Sequence, residues 1–145
     1  MKLQFIKVTI IVAFLAFPIK GIGQSKMAAN SKINFIENSW PEALKKAEAE
    51  HKNIFVDAYA VWCAPCKQLS ATTFTDKKVA AFFNSNFVNL SIDTEKGHGI
   101  ELANKWGLES YPTLYIFDSK GKLLSTSEGL INADALMKFG KGAVK

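Results

Sequence analysis

Apolar and polar positions along the chain fall into blocks with two different periods. Ile54-Phe55-Val56-Asp57-Ala58-Tyr59-Ala60 is apolar at nearly every position and reads as a buried central strand. Phe87-Val88-Asn89-Leu90-Ser91-Ile92 alternates and reads as a second strand. Leu114-Tyr115-Ile116-Phe117 is a third. It runs into the turn Asp118-Ser119-Lys120-Gly121, with Gly121 in the left-handed position, and a return strand from Lys122 to Ser127. Ile33, Phe35 and Ile36 either add an edge strand or cover a helix.

Helical periodicity fills the gaps. Ser39 is expected to cap a helix, with Glu42 completing a capping box and Pro41 in the first turn. Trp40, Ala43, Leu44 and Ala47 would face inward, and His51 would sit at the C-terminal end. A helix from Pro65 reaches about Ala71 with Leu69 inward, because Thr72 and Thr73 weaken helical preference. Thr75 is expected to cap the next helix, whose apolar side is Val79, Phe82 and Phe83. After a linker from Asp93 to Gly99, a short helix spans Ile100 to Trp106, with Ile100, Ala103 and Trp106 inward and His98 exposed at its start. Gly107 permits a left-handed stop. Asn132 is expected to cap a last helix facing in through Ala135, Leu136 and Phe139, and Gly140 to Lys145 to be a frayed tail.

Residues 1–23 read as a secretory signal. Lys2 and Lys7 make its positive start, Val8 to Phe17 is apolar except for Thr9, and Gly21-Ile22-Gly23 offers small residues before Gln24. An uncleaved membrane anchor is the alternative, although the run is short against the roughly 20 residues a spanning helix needs. No cysteine follows it to carry a lipid. Residues 24–32 read as a flexible segment and 33–142 as a single domain, with no internal repeat. Export would place that domain in the periplasm or outside the cell, where thiols meet an oxidising environment.

Charge narrows the function classes. The formal net charge of +5 on 145 residues falls to +2 once Lys2, Lys7 and Lys20 leave with a signal. All the cations are lysines. Without arginine there are no bidentate guanidinium contacts to phosphate or guanine, and no basic patch interleaves with aromatics, so no nucleic-acid partner is expected.

The only two cysteines lie in Trp62-Cys63-Ala64-Pro65-Cys66-Lys67, after a strand and before a helix. That placement reads as a redox-active thiol pair. Cys63 at the helix N-terminus would have its thiolate favoured by free N–H groups and the helix dipole. Cys66, one turn in, could attack a mixed disulfide formed by Cys63. A structural staple closing so small a loop would constrain the unfolded chain little. Structural zinc wants four ligands, and His51 and His98 lack the spacing. Haem attachment would need histidine where Lys67 stands. Asp57 is the anomaly of the central strand: a buried carboxylate is costly unless paired or protonated, the alternative being a strand-end acid reaching solvent.

Val56-Asp57 with Trp62-Cys63-Ala64-Pro65-Cys66-Lys67, and the later Tyr111-Pro112-Thr113, resemble the thioredoxin superfamily over about Trp40 to Phe139. Thr73-Phe74-Thr75-Asp76 points to its extracytoplasmic thiol:disulfide interchange domains. The resemblance implies an α/β thioredoxin-like fold, a central mixed sheet flanked by helices on both faces. It implies an extracytoplasmic protein-disulfide oxidoreductase, more toward reduction. The alternatives are a disulfide oxidase or isomerase, or a non-catalytic thioredoxin-like binding module. Cys63 would be the first attacker and the more exposed sulfur. Asp57, its pKa raised by burial, would take and return the proton of Cys66. Trp62, Ala64, Pro65, Tyr111, a cis Pro112 and Gly129 would line the substrate groove. Where many relatives carry a lysine near the buried acid, this chain has Asn89, and it has Ala71 where they carry a kinking proline. No metal and no cofactor are implied. The implied partners are disulfide-bearing proteins and a redox protein that resets the pair, with membrane contact only through that partner or an uncleaved signal.

Overall fold

The computed structural model describes residues 31–144. The expected signal over 1–23 and nearly all of the segment 24–32 lie outside these residues. In chain order the elements are β1 (Ile36–Glu37), α1 (Trp40–Glu50), β2 (Asn53–Tyr59), α2 (Ala64–Thr72), α3 (Lys77–Asn86), β3 (Phe87–Asp93), α4 (His98–Trp106), β4 (Thr113–Phe117), β5 (Leu123–Glu128) and α5 (Ala133–Lys141). The strands form one sheet in the order β1-β3-β2-β4-β5. β1, β3 and β2 run parallel, and β4 and β5 join antiparallel. This is the mixed sheet the resemblance implied, with β2 at its centre.

Strand alternation divides the core in two. Ile54, Val56 and Ala58 of β2, with Val88, Leu90 and Ile92 of β3, meet α1 and α4 through Trp40, Ala43, Ala47 and Leu102. Phe55 of β2, Phe87 of β3, and Leu114 and Ile116 of β4 meet α2, α3 and α5 through Leu69, Val79, Phe83 and Leu136. Phe83 stacks on Phe87 at 5.1 Å and lies 4.6 Å from Phe55. Asp57 falls on this second face by parity, at the end where the strand leaves its apolar cover.

Several local expectations are corrected. Ser39 precedes α1 but its side chain makes no cap hydrogen bond. Pro41 at the second helical position has no N–H to offer it, and the Glu42 N–H that a capping box would use does not donate to it either. At α3 the cap is Asp76, not Thr75: its carboxylate accepts from the N–H groups of Lys78 and Val79 at 2.8 and 3.0 Å. The Thr75 hydroxyl turns back instead to the carbonyls of Ala71 and Thr72. α4 begins at His98, inside the expected linker; Gly99 and Leu102 are its buried residues and Ile100 is 49% exposed, while Trp106 packs on the core as expected. In α5, Ala135 is exposed while Leu136 and Gly140 face inward. The expected frayed tail is helical through Lys141, and Asn53 Nδ2 donates to the Ala143 carbonyl at 2.7 Å.

Candidate active site

β2 delivers the chain to the cysteine pair. One turn after Tyr59, the Cys63 N–H donates to the Ala60 carbonyl at 3.0 Å and Cys63 becomes the N-cap of α2. Its Sγ accepts the Cys66 N–H at 3.1 Å. A thiolate formed there would sit on the positive end of the helix, where N–H groups lower the cost of the charge. Pro65 fits the first turn, where its missing N–H breaks no helical bond. Cys63 and Cys66 are joined as a disulfide, their Cα atoms 5.3 Å apart.

The expectation that Cys63 is the more exposed sulfur-bearing residue is corrected. In this disulfide state Cys63 is 1% exposed and Cys66 6%. Ala60 packs with the pair, and Tyr59 and Tyr111 pack against this cluster.

Asp57 stands behind the pair. Parallel register places it opposite Ser91, whose hydroxyl donates to Asp57 Oδ2 at 3.1 Å. Oδ1 is buried and meets no protein hydrogen-bond partner among the described residues. Burial pushes the Asp57 carboxyl up to about 7; the Ser91 hydrogen bond opposes this, and the negative charge of Glu37 adds to it. A cavity of about 490 Å³ brings Asp57 to Cys66, with Glu37, Lys67, Ser70 and Ser91 also on its wall. Asn89 does not serve this acid. It pairs in register with Phe55, two residues away along the strand. Its short amide is held by the Asn34 and Phe83 carbonyls and by Asn84 Oδ1, at 3.2–3.5 Å.

The rim is built from three separate stretches. Trp62 is 63% exposed, and its indole N–H donates to Glu95 Oε2 at 2.8 Å. Tyr111 meets the Trp62 ring edge-on at 5.5 Å, and its hydroxyl lies 3.0 Å from that of Thr94. Thr94 in turn donates to the Tyr59 carbonyl. The Tyr111–Pro112 peptide is cis. Gly129, at φ 82°, donates its N–H to the Pro112 carbonyl at 2.8 Å. Ala64 and Pro65 are exposed beside this rim, Tyr111 and Gly129 are half-buried, and Pro112 is buried. The structure thus gathers the expected residues and adds four that the sequence reading missed: Ser91, Glu37, Thr94 and Glu95. None carried a signal of its own: Ser91 shares the parity of Asn89, but only the strand register sets it against Asp57. Among the described residues no group of three or more His, Cys, Asp or Glu is placed to hold a metal ion.

The sequence model of the family described as a thioredoxin-like domain matches residues 40–142. The chain belongs to the thioredoxin-like family. Within it, the chain is 29% identical over 107 residues to the thiol:disulfide interchange protein DsbD of Pseudoalteromonas atlantica, covering 72% of this chain and 18% of that protein. It is 34% identical over 108 residues to the chloroplastic thioredoxin Y of Oryza sativa, covering 74% and 59%. The chain spans about a fifth of the length of the interchange relatives it matches. The solution structure of a candidate disulphide-isomerase from Bacteroides thetaiotaomicron superposes with a TM-score of 0.68 at 45% identity, covering 79% of this chain and 97% of that one. A thioredoxin from Thermus thermophilus, at 21% identity and a TM-score of 0.69 over 77% and 88% of the two chains, shares the fold.

Proposed function

We propose that this chain is an extracytoplasmic thiol–disulfide oxidoreductase that reduces protein disulfides. The observation that carries the reading is the pairing of positions around one cysteine couple. Cys63 caps a helix at the rim, while Cys66 shares a cavity with a buried carboxylate whose proton affinity lies near neutrality.

The Cys63 thiolate attacks a substrate disulfide; one sulfur–sulfur bond forms, another breaks, and the first substrate sulfur leaves to be protonated. Cys66 then gives its thiol proton to Asp57 and attacks the Cys63 sulfur. The second substrate sulfur leaves, and the protein holds the Cys63–Cys66 disulfide. Two electrons have passed to the substrate, and a thiol protein must return them. Trp62, Tyr111 and Gly129 border the place where the substrate segment lies, and Tyr111 influences partner choice.

Support for the reducing direction comes from Ala64 and Pro65, which bring neither a charge nor a side-chain donor to Cys63. A thiolate stabilised less makes the reduced pair the stronger electron donor. The apolar stretch within residues 1–23 and the interchange relatives support an extracytoplasmic location. The similarity to a candidate disulphide-isomerase favours isomerisation as the second reading.

Equilibration against glutathione or dithiothreitol tests the direction. A potential near ~−270 mV supports reduction, and one near ~−120 mV would replace it with oxidation. Capture of disulfide-bearing proteins on Cys66→Ala identifies substrates. If neither reduced nor oxidised protein exchanges with any disulfide or dithiol, a binding module takes the place of the enzyme.

A further inference from the structure

We propose that Glu37 is the solvent-side proton exchanger for Asp57, a positioning residue that acts through Asp57 on Cys66. The proposal rests on the exchange reading above.

The sheet itself aligns the groups. β1 pairs with β3 so that Glu37 lies opposite Ser91, and β3 pairs with β2 so that Ser91 lies opposite Asp57. In-register partners on parallel strands present their side chains to one face, so the three form a row across the sheet. Two strand spacings put the outer members about 10 Å apart. The row runs from the exposed edge strand to the buried centre.

Space joins them as well. The cavity of about 490 Å³ that reaches Cys66 and a second of about 310 Å³ share Glu37, Asp57, Ser70 and Ser91 on their walls. Both are roomy and polar enough for water to bridge the two carboxyls. A hydroxyl has one proton, and Ser91 commits its own to Asp57 Oδ2. Oδ1 is therefore the oxygen left to carry the proton taken from Cys66.

The step balances. The Cys66 S–H bond breaks as an O–H bond forms at Asp57, and the sulfur electron pair makes the bond to Cys63. The proton then passes through cavity water to the Glu37 carboxylate and on to bulk solvent, which restores the Asp57 base. Partial burial holds the Glu37 carboxyl up, and Lys32 opposes that. The other charged or titratable groups around this row are Tyr59 on β2, Asp93 at the end of β3 and Lys67 on α2. An edge-strand acid serving only to keep the edge soluble would still shift the Asp57 midpoint through its charge, but would leave the speed of proton release, and so of resolution, unmoved.

The test compares wild type, Glu37→Gln and Glu37→Asp. Two quantities are read: the carbon-13 titration of the Asp57 carboxyl, and the pH profile of mixed-disulfide resolution with a disulfide-bonded peptide. In Glu37→Gln both midpoints should move down, on the order of half a pH unit for one charge removed about 10 Å away. Resolution should also slow at every pH, because the onward acceptor is gone. Glu37→Asp should keep both midpoints. Wild-type rates of resolution in Glu37→Gln, whatever its midpoints, or equal slowing in the two variants, would overturn the proposal and leave the exchange reading intact. A wild-type protein that forms no mixed disulfide at any pH takes both down.

Discussion

The Trp62 indole N–H donates to the Glu95 carboxylate at 2.8 Å, fastening the residue before Cys63 to the turn that follows β3. Tyr111 lies edge-on against the same ring. With the indole mostly in solvent, this bond sets its direction more than it sets stability. Glu95→Ala should therefore cost no more than about 1 kcal/mol in denaturant unfolding. It should also lower the fluorescence anisotropy of Trp62 and slow exchange with a protein substrate more than with a small disulfide. Glu95→Gln, which keeps an acceptor oxygen, should restore most of both.

Asp57 links chemistry to stability. Its folded-state affinity for a proton, raised from 3.8 to about 7, exceeds that of the unfolded chain. Between those values the native state holds a proton that the unfolded state has lost, so stability falls as pH rises from about 4 to about 7 and then levels. The span corresponds to about 4 kcal/mol at most. Asp57→Asn should be the more stable protein in urea at pH 8, with the advantage gone near pH 4. The same variant should resolve mixed disulfides ~100-fold more slowly above pH 7, since a positioned base contributes at least that much.

Helix entry gives a sharp contrast. Asp76 accepts two N–H groups at the start of α3, while Ser39 accepts none at the start of α1. Asp76→Ala should cost ~1 kcal/mol in chemical denaturation and Ser39→Ala a few tenths. A cost for Ser39→Ala equal to that for Asp76→Ala would contradict the cap geometry.

Gly140 faces α3 so closely that an added Cβ would lie 2.6 Å from Phe83 Cζ and 2.9 Å from Phe82 Cε1. Gly140→Ala should lose ~1–3 kcal/mol by overpacking despite the better helical preference of alanine. Thermal unfolding would show it, and the redox potential should not move.

What the chain reveals without coordinates is local. Cys63 and Cys66 are legible from spacing, and Asp57 from the misfit of a charge in an apolar run. Pro112 is legible from the resemblance. Ser91 is not, because a serine in an alternating strand looks like any solvent-facing residue until the neighbouring strand and its register are known. Asn89 stands where many relatives carry a lysine; it brings no charge, its amide is held by Asn34, Phe83 and Asn84, and the acid is left to its burial. Ile100 and Leu102 show an inner face offset from the expected one, with Trp106 inward in both. Gly140 reads in sequence as the start of a frayed tail, whereas the ring of Phe83 fills the space a side chain there would take.

Burial of Cys63 has a consequence for how the oxidised protein is recharged. An incoming sulfur must approach along the axis of the bond it breaks, and Tyr59 and Tyr111 pack against the cluster that holds the pair. Stray low-molecular-weight thiols thus find little to collide with, whereas a protein whose contour displaces those rings gains access as it docks. Electron delivery then depends on fit: small thiols reach equilibrium with the closed pair slowly, and a docked protein reaches it sooner.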